Sequence, residues 1–592
     1  MPLKIHSLPA ITLIGIAITT ISADILGTLS LGLTPTLANL SLILGGTFAA
    51  ILLKQQIIPT QSPQSHTANP ISLTNKLLLF CFALVSFRSF CWLLFENNGA
   101  IRISSANNLA DLPWHLSLIQ TFASGIPLWP DSPNFTNIKL HYPAGINLFN
   151  AVTLLAGIPL YSSLIATGLI CSTITAVTLQ KWGKSFALAA FLFNGGITGF
   201  EVFKTWTPTD FQNAHAWKSI FLSLFVPQRG FLYAFPAGLL LLSHWKDVIL
   251  GSKTTAHNPS NTPILPFWAE VILYSTLPLF HAHTFLFLSL VLAFWSLTAP
   301  NKKHTINLVL ISVLPATFFV SQITGIFDTN SIPQKLIHLQ IGWMQKGQPF
   351  FQFWFTNFGI LPILVLALFA KLTKQFLTQR NAPHAQKARK ILLLTVPALL
   401  IYILCLIVCF APWDWDNTKL MIWSYLIIMP FLWTEMISKW HPVLRTLTCF
   451  ALFTSGAITL YSGTIIPHNF EIARITDYYS IKKVAGTLKP GAIYVTSPTY
   501  NHPLTLAGQH IACGYPAHLW SHGIDPTHQI NQINSILNGE RDWLQKLELL
   551  GATYLFWGTL ENEHYPNSQK PWEGNYPVVA AGHWGKIYQI TP

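Results

Sequence analysis

Asp111 and His115 stand four residues apart in Asp111-Leu112-Pro113-Trp114-His115, an acid and an imidazole on one helix face if residues 113–124 are helical. A carboxylate so placed can take a proton from an attacking hydroxyl. An imidazole one turn along can orient it or share a metal with it. The competing reading is that Asp111 caps the helix, for which Pro113 in the first turn is well suited. The two roles are compatible.

Other groups could serve the same chemistry. Ala411-Pro412-Trp413-Asp414-Trp415-Asp416-Asn417-Thr418-Lys419 packs two carboxylates, an amide and an ammonium between two apolar segments. An Asp-x-Asp pattern can hold a divalent metal and a sugar phosphate, and tryptophans stack on sugar rings. The alternative is a tight turn in an interfacial aromatic belt, with Asp416 neutralised by Lys419. Gln228-Arg229-Gly230 sits where a loop re-enters the apolar phase, and its guanidinium suits a lipid-linked phosphate. Arg88, inside an apolar segment, is costly enough to be paired or functional. A structural ion pair or snorkelling to headgroups would equally explain either arginine. His281 and His283, two residues apart at a break in an apolar stretch, fit a kinked segment lining a cavity, or a structural role. Further on, Thr499-Tyr500-Asn501-His502-Pro503 and the stretch from His518 through His522 to Asp525 offer groups able to bind sugars or ions, as ordinary surface also does.

The surroundings are apolar. Charged residues make up 9% of the chain and apolar residues 51%, with runs at 77–95, 391–410 and 420–431. A span takes roughly 20 apolar residues, so the chain is expected to be a polytopic α-helical membrane protein with about 13 membrane segments. A soluble fold is excluded. The net charge of +13 comes from bases in short links: Lys4, Lys54 with Lys76, Lys181 with Lys184, Lys246 with Lys253, Lys302 with Lys303, the acid-free run 371–390, and Lys439 with Arg445. That is a positive-inside signature and argues against a nucleic-acid partner. The outer set is then 96–142, 204–230, 324–352, 411–419 and everything after 465. Six of the seven cysteines fall in apolar segments, so neither a disulfide framework nor a thiolate zinc site is expected.

Residues 1–53 read as a retained helical hairpin, 54–76 as a cytoplasmic linker, and 77–465 as the transmembrane domain, its long first outer loop being 96–142. Two stretches, 144–179 and 266–297, are broken by Gly157-Ile158-Pro159 and by Pro278 with the His281 step; residues 144–160 read as a re-entrant or partial helix. After residue 465 the pattern turns to that of a small extracytoplasmic α/β domain, 479–592. Its helices are expected at 479–488, 527–537 and 541–550, and its strands at 492–496, 509–514, 552–557 and 586–590.

This organisation resembles the GT-C glycosyltransferase superfamily: a basic polytopic protein, an early Asp in a long first outer loop before an amphipathic helix, uneven spans and a C-terminal extracytoplasmic domain. Family members take sugars from polyprenyl-phosphate donors and carry a catalytic acid in that loop, often beside a second acid. Asp111 matches by position. The second acid does not, since Ala110 and Leu112 flank it and the next carboxylate is Asp131. The resemblance implies a glycosyltransferase in a bacterial inner membrane, moving a sugar from a polyprenyl-phosphate donor on the extracytoplasmic face. Asp111 and His115 would be catalytic, and Arg229, Gln228 and Arg88 would meet the donor phosphate. Asp414, Asp416, Asn417 and Lys419 would form a second outer site, and Mg²⁺ or Mn²⁺ on Asp111, Asp414 or Asp416 is the metal option. Three rivals stand beside it: a transporter of lipid-linked saccharide, a polymerase or ligase of the same carrier, and a non-catalytic scaffold.

Overall fold

The computed structural model describes residues 7–56, 72–251, 265–326, 337–378, 382–465 and 469–590. Lys4, Lys253, Asp328, Arg380 and most of the linker 54–76 lie outside them.

The chain is a polytopic helical membrane protein carrying a C-terminal α/β unit. Eight helices among the described residues are long and apolar enough to cross a membrane. With shorter ones, the main helices up to the last span are α1 (Leu8–Leu29), α2 (Pro35–Gln56), α3 (Leu73–Cys91), α4 (Asp111–Phe122), α5 (Gly145–Leu155), α6 (Leu160–Leu192), α7 (Gly230–Val248), α8 (Phe267–Ser275), α9 (Ala282–Thr298), α10 (Lys302–Thr324), α11 (Leu361–Thr378), α12 (Pro383–Leu404), α13 (Thr418–Glu435) and α14 (Pro442–Ile465). The hairpin α1/α2 packs on α5, and α7 and α13 pack on α6.

Both stretches that are too long for one helix are broken. Residues 144–179 split into α5 and α6, with Gly157 at φ +92° and Pro159 ahead of α6. The basic pair Lys181 and Lys184, expected in a loop, sits within α6, where helical geometry lapses only at Gly183 and Lys184. In 266–297 the helix gives way at His281, whose backbone is extended (φ −160°, ψ 97°). Two glycines make this break possible: a Cβ on Gly230 would lie 2.2 Å from the carbonyl of Phe280, and one on Gly145 would lie 3.0 Å from that of Leu279. Three chain segments thereby converge on one point.

The first outer loop is more ordered than its polarity suggests. It opens with a hairpin, β1 (Phe95–Asn97) and β2 (Ala100–Ile103), and β2 pairs antiparallel with β3 (Phe470–Arg474) beyond the last span. The C-terminal unit is a five-stranded mixed sheet. Its strands are β4 (Ile493–Val495), β5 (His510–Ile511), β6 (Tyr554–Gly558), β7 (Val578–Gly582) and β8 (Gly585–Gln589), in the order β5-β4-β6-β8-β7. Strand β7 was not expected; its residues are largely exposed and give no alternating pattern. Phe135 and Ile138 of the first outer loop pack into the core of this unit, and Ile511 N–H donates to the carbonyl of Pro133 at 2.9 Å. Loop and C-terminal unit are therefore one body, clamped over one end of the helical bundle.

Bases of the short links gather at the other end. Lys387 and Lys439 reach the buried Glu435 carboxylate at the foot of α13 (2.7 and 3.3 Å), and Lys246 lies over the Trp182 ring, 5.6 Å from its centroid.

Candidate functional site

Between the bundle and the clamped unit lies a cavity of about 1100 Å³. Its wall carries Asp111 and His115 of α4, Gln228 before α7, His281 and His283 at the helix break, and Asp416 and Lys419 before and within α13. To these the C-terminal unit adds His518 and His522.

Helix α4 begins at Asp111 itself. The residue ahead of it, Ala110, is helical and makes no side-chain cap, so the Asp111 carboxylate is not spent on capping. It sits in the first turn, where the helix dipole favours an anion. Its side chain is 39% exposed to the cavity and lies 3.7 Å from His518 Nε2. Burial works to raise its pKa, but the contact and charge of His518, with His115 and Lys419 nearby, outweigh it and hold the carboxyl below the usual aspartate range.

His115 is a buried wall residue. Its Nδ1 is 3.1 Å from Asn147 Nδ2, and it bonds to the backbone at Pro227. Burial first, with the charges of Arg229 and His518 adding, pushes its pKa down to about 3 against the pull of Asp111. The imidazole is neutral at physiological pH and hydrogen-bonded to Asn147 and to the backbone at Pro227, which fixes it in the wall. His522 is pushed down to about 3 in the same way, by burial and then by His518 and Lys419. The Tyr142 hydroxyl is raised by burial and by the carboxylates of Asp111 and Asp416, and stays protonated.

The 411–419 segment divides its residues. Asp416 accepts from Lys419 at 2.9 Å, and both face the cavity. Asp414 instead accepts from Gln340 (2.9 Å) and neighbours Lys346. Asn417 is a structural brace: its Oδ1 accepts from Phe410 N, and its Nδ2 donates to the carbonyls of Cys405 and Val408. Trp415 Nε1 donates to the carbonyl of Ala216, and the Trp413 ring lies 6.4 Å from that of Trp520 of the C-terminal unit, tilted by 57°. Of the two carboxylates of the Asp-x-Asp pattern, Asp416 lines the cavity and Asp414 does not.

The arginines lie elsewhere. Arg229 has no exposed surface; its Nη2 donates to Asn150 Oδ1 at 2.9 Å, behind the wall that Gln228 and Gly230 form. Arg88 lies at the end of α3 over the exposed Trp92 ring, 5.3 Å from its centroid, which is interfacial snorkelling. Neither reaches the cavity. His281 caps α9, accepting from Thr284 N at 3.1 Å, while the Nε2 of His283 and the Nε1 of Trp114, both on the wall, have no hydrogen-bond partner among the described residues. Buried orphans of that kind mark where a ligand's polar groups would sit.

His518 is the residue whose role the sequence concealed. It belongs to a polar stretch flagged only for general binding, more than 400 positions beyond Asp111. No local spacing links the two, and only the loop-to-domain clamp joins them.

Two solved structures are similar to this chain, both of the oligosaccharyltransferase of Archaeoglobus fulgidus. One, tethered with an acceptor peptide containing the NVT sequon via a disulfide bond, is 12% identical, with a TM-score of 0.46 over 88% of this chain and 74% of that one. The other, in the apo form, is 12% identical, with a TM-score of 0.47 over 83% and 70%. No family model and no curated protein matches the sequence.

Proposed function

We propose that the chain is a GT-C-type membrane glycosyltransferase that moves a sugar from a polyprenyl-phosphate donor to an acceptor hydroxyl on the extracytoplasmic face. The observation that carries this reading is the uncapped, ionised Asp111 carboxylate facing a large cavity at the end of the bundle opposite Lys246, Lys387 and Lys439. By the positive-inside rule that end is outside, and so is the C-terminal unit. With the eight long helices, α7, α12 and the shorter apolar pieces α5, α8 and α9 bring the membrane segments to about 13.

In the reaction the acceptor oxygen forms a bond to the anomeric carbon as the bond from that carbon to the phosphate oxygen breaks. Asp111 accepts the acceptor's hydrogen bond and takes its proton. A carboxylate held this acidic is a weak base, so the proton is transferred late, when carbon–oxygen bonding has already acidified the hydroxyl. The departing phosphate needs cations, and Lys218 and Lys346 on the wall supply them. Trp413, Trp415 and Trp114 offer faces for sugar rings. A divalent ion such as Mg²⁺ or Mn²⁺ would find Asp111 and Asp416 as the carboxylates on this wall. No group of three ligands closes there among the described residues, and no step above requires one.

The deciding experiment presents polyprenyl-phosphate sugars in nanodiscs and compares wild type with Asp111→Asn. The amide keeps the volume and a hydrogen-bond acceptor but cannot take a proton, so turnover should fall roughly 10²- to 10⁴-fold with thermal stability unchanged. Normal turnover in that variant would end the proposal that Asp111 is the base.

A further inference from the structure

A second group of chemically able side chains lies at the opposite end of the bundle. His244 is fourteen residues along α7 from Gly230, about 21 Å at helical rise. Glu270 is in the first turn of α8 and His304 in the first turn of α10. Their ligand atoms all lie within 4.8 Å of one another. His244 Nε2 is 3.4 Å from Glu270 Oε2, and His304 Nε2 is 3.0 Å from both Glu270 oxygens. Donors around a tetrahedral ion with bonds of 2.0 to 2.1 Å stand about 3.3 Å apart, so the spacing already suits one.

The charge balance favours an ion. Glu270 is wholly buried, and among the described residues no lysine or arginine pairs with it; its partners are the two imidazoles and Trp245 Nε1–H at 2.7 Å. A carboxylate buried in an apolar setting is costly unless a cation meets it. Lys302 and Lys303 on the same turn as His304 are exposed, turned to solvent and not to the carboxylate. His304 keeps 19% of its side chain accessible, which gives an ion a way in. The indole N–H on Glu270 fixes the carboxylate as outer-shell partners of metal sites do.

We propose that His244, Glu270 and His304 form a Zn²⁺ site that ties the inner ends of α7, α8 and α10 together. Two imidazoles and one carboxylate are donors of the kind zinc takes, and three protein ligands leave the fourth position to water. The site is separate from the Asp111 cavity and does not depend on the reaction assigned there.

The test uses the purified full-length chain in detergent, stripped with chelator and titrated with Zn²⁺ against a competing fluorescent indicator. Wild type should take up one equivalent. Glu270→Gln, close to isosteric, and His304→Gln should each weaken uptake at least tenfold, while Asp111→Asn should bind as wild type does. X-ray absorption on zinc-loaded wild type, which requires no variant to fold, should show imidazole scattering with N/O donors at about 2.0 to 2.1 Å. Absent uptake in wild type, uptake unchanged in both Glu270→Gln and His304→Gln, or a zinc spectrum without imidazole would each overturn the site.

Discussion

Two carboxylates face the same cavity on different terms. Asp416 is neutralised by Lys419, three residues on and 2.9 Å away, a pair the chain supplies from its own helix start. Asp111 is met by His518 at 3.7 Å, a group from another part of the sequence that arrives only when the C-terminal unit closes over the first outer loop. The close local pair is a settled ion pair with little left to offer a substrate. The looser, long-range pair leaves a carboxylate ionised, accessible and uncapped, and that is the state a proton acceptor needs.

The sharpest way to break this contrast is to remove His518. It does not take the proton itself on the proposed route; it positions Asp111 and holds it charged. His518→Gln should lower kcat/KM by up to about 10²-fold, the scale of a small misplacement of a reacting group. The pH profile separates this from mere loss of packing. Because His518 depresses the pKa of Asp111, its loss lets that pKa rise, and the acid limb of kcat/KM against pH must move upward. A drop in rate with the acid limb unmoved would show that His518 only braces the wall. Lys419→Met should leave that limb much closer to its wild-type place, since Lys419 is the weakest of the influences on Asp111.

Much of this was legible in the sequence, for physical reasons that particular residues make plain. The breaks at Gly157-Ile158-Pro159 and at His281 were readable because proline and glycine act locally on the backbone. Three helices and all strands but β7 in the C-terminal unit were readable because their patterns are periodic; the short helices Pro503–Leu506, Pro516–Ser521 and Thr559–His564 have too few residues for a period, and the Val578–Gly582 edge is exposed and has none. The neutralisation of Asp416 by Lys419 follows from adjacency. What could not be read was long-range: that α4 begins on Asp111 without using it as a cap, that the first outer loop supplies Phe135 to another domain's core, and that Arg229 turns inward to Asn150. Sequence placed Arg229 at a membrane entry, and its side chain had two directions to choose from.

Arg229 tests the second half of the contrast, the difference between facing the cavity and backing it. With no exposed surface and one bond to Asn150, its Nε and Nη1 have no hydrogen-bond partner among the described residues, so its guanidinium is a buried group held at some cost. Arg229→Lys loses the planar fork, and melting in detergent should show a loss of roughly 1 to 3 kcal/mol, the range for disturbing a buried charged hydrogen bond. Donor affinity should change less than twofold. A large loss of donor affinity with an unchanged melting point would instead turn this side chain toward the lipid phosphate.

The smallest effect belongs to the clamp. Arg102 on β2 reaches Glu471 on β3 at 3.0 Å and also donates to the carbonyls of Asn97 and Asn469. The Glu471 side chain is 44% exposed, so solvent screens the pair, and exposed ion pairs contribute roughly 0.2 to 1 kcal/mol. Glu471→Gln keeps a hydrogen-bond acceptor opposite Arg102 and leaves the β2/β3 backbone ladder untouched. Melting should shift within that range, the shift should shrink further in high salt as screening grows, and turnover should stay as in wild type. If this single change instead cost turnover as much as losing His518, the loop and the C-terminal unit would be held together by charge and not by the backbone ladder and the Phe135 core. The closure that brings His518 to Asp111 would then be a movement to be switched, and not a fixed part of the fold.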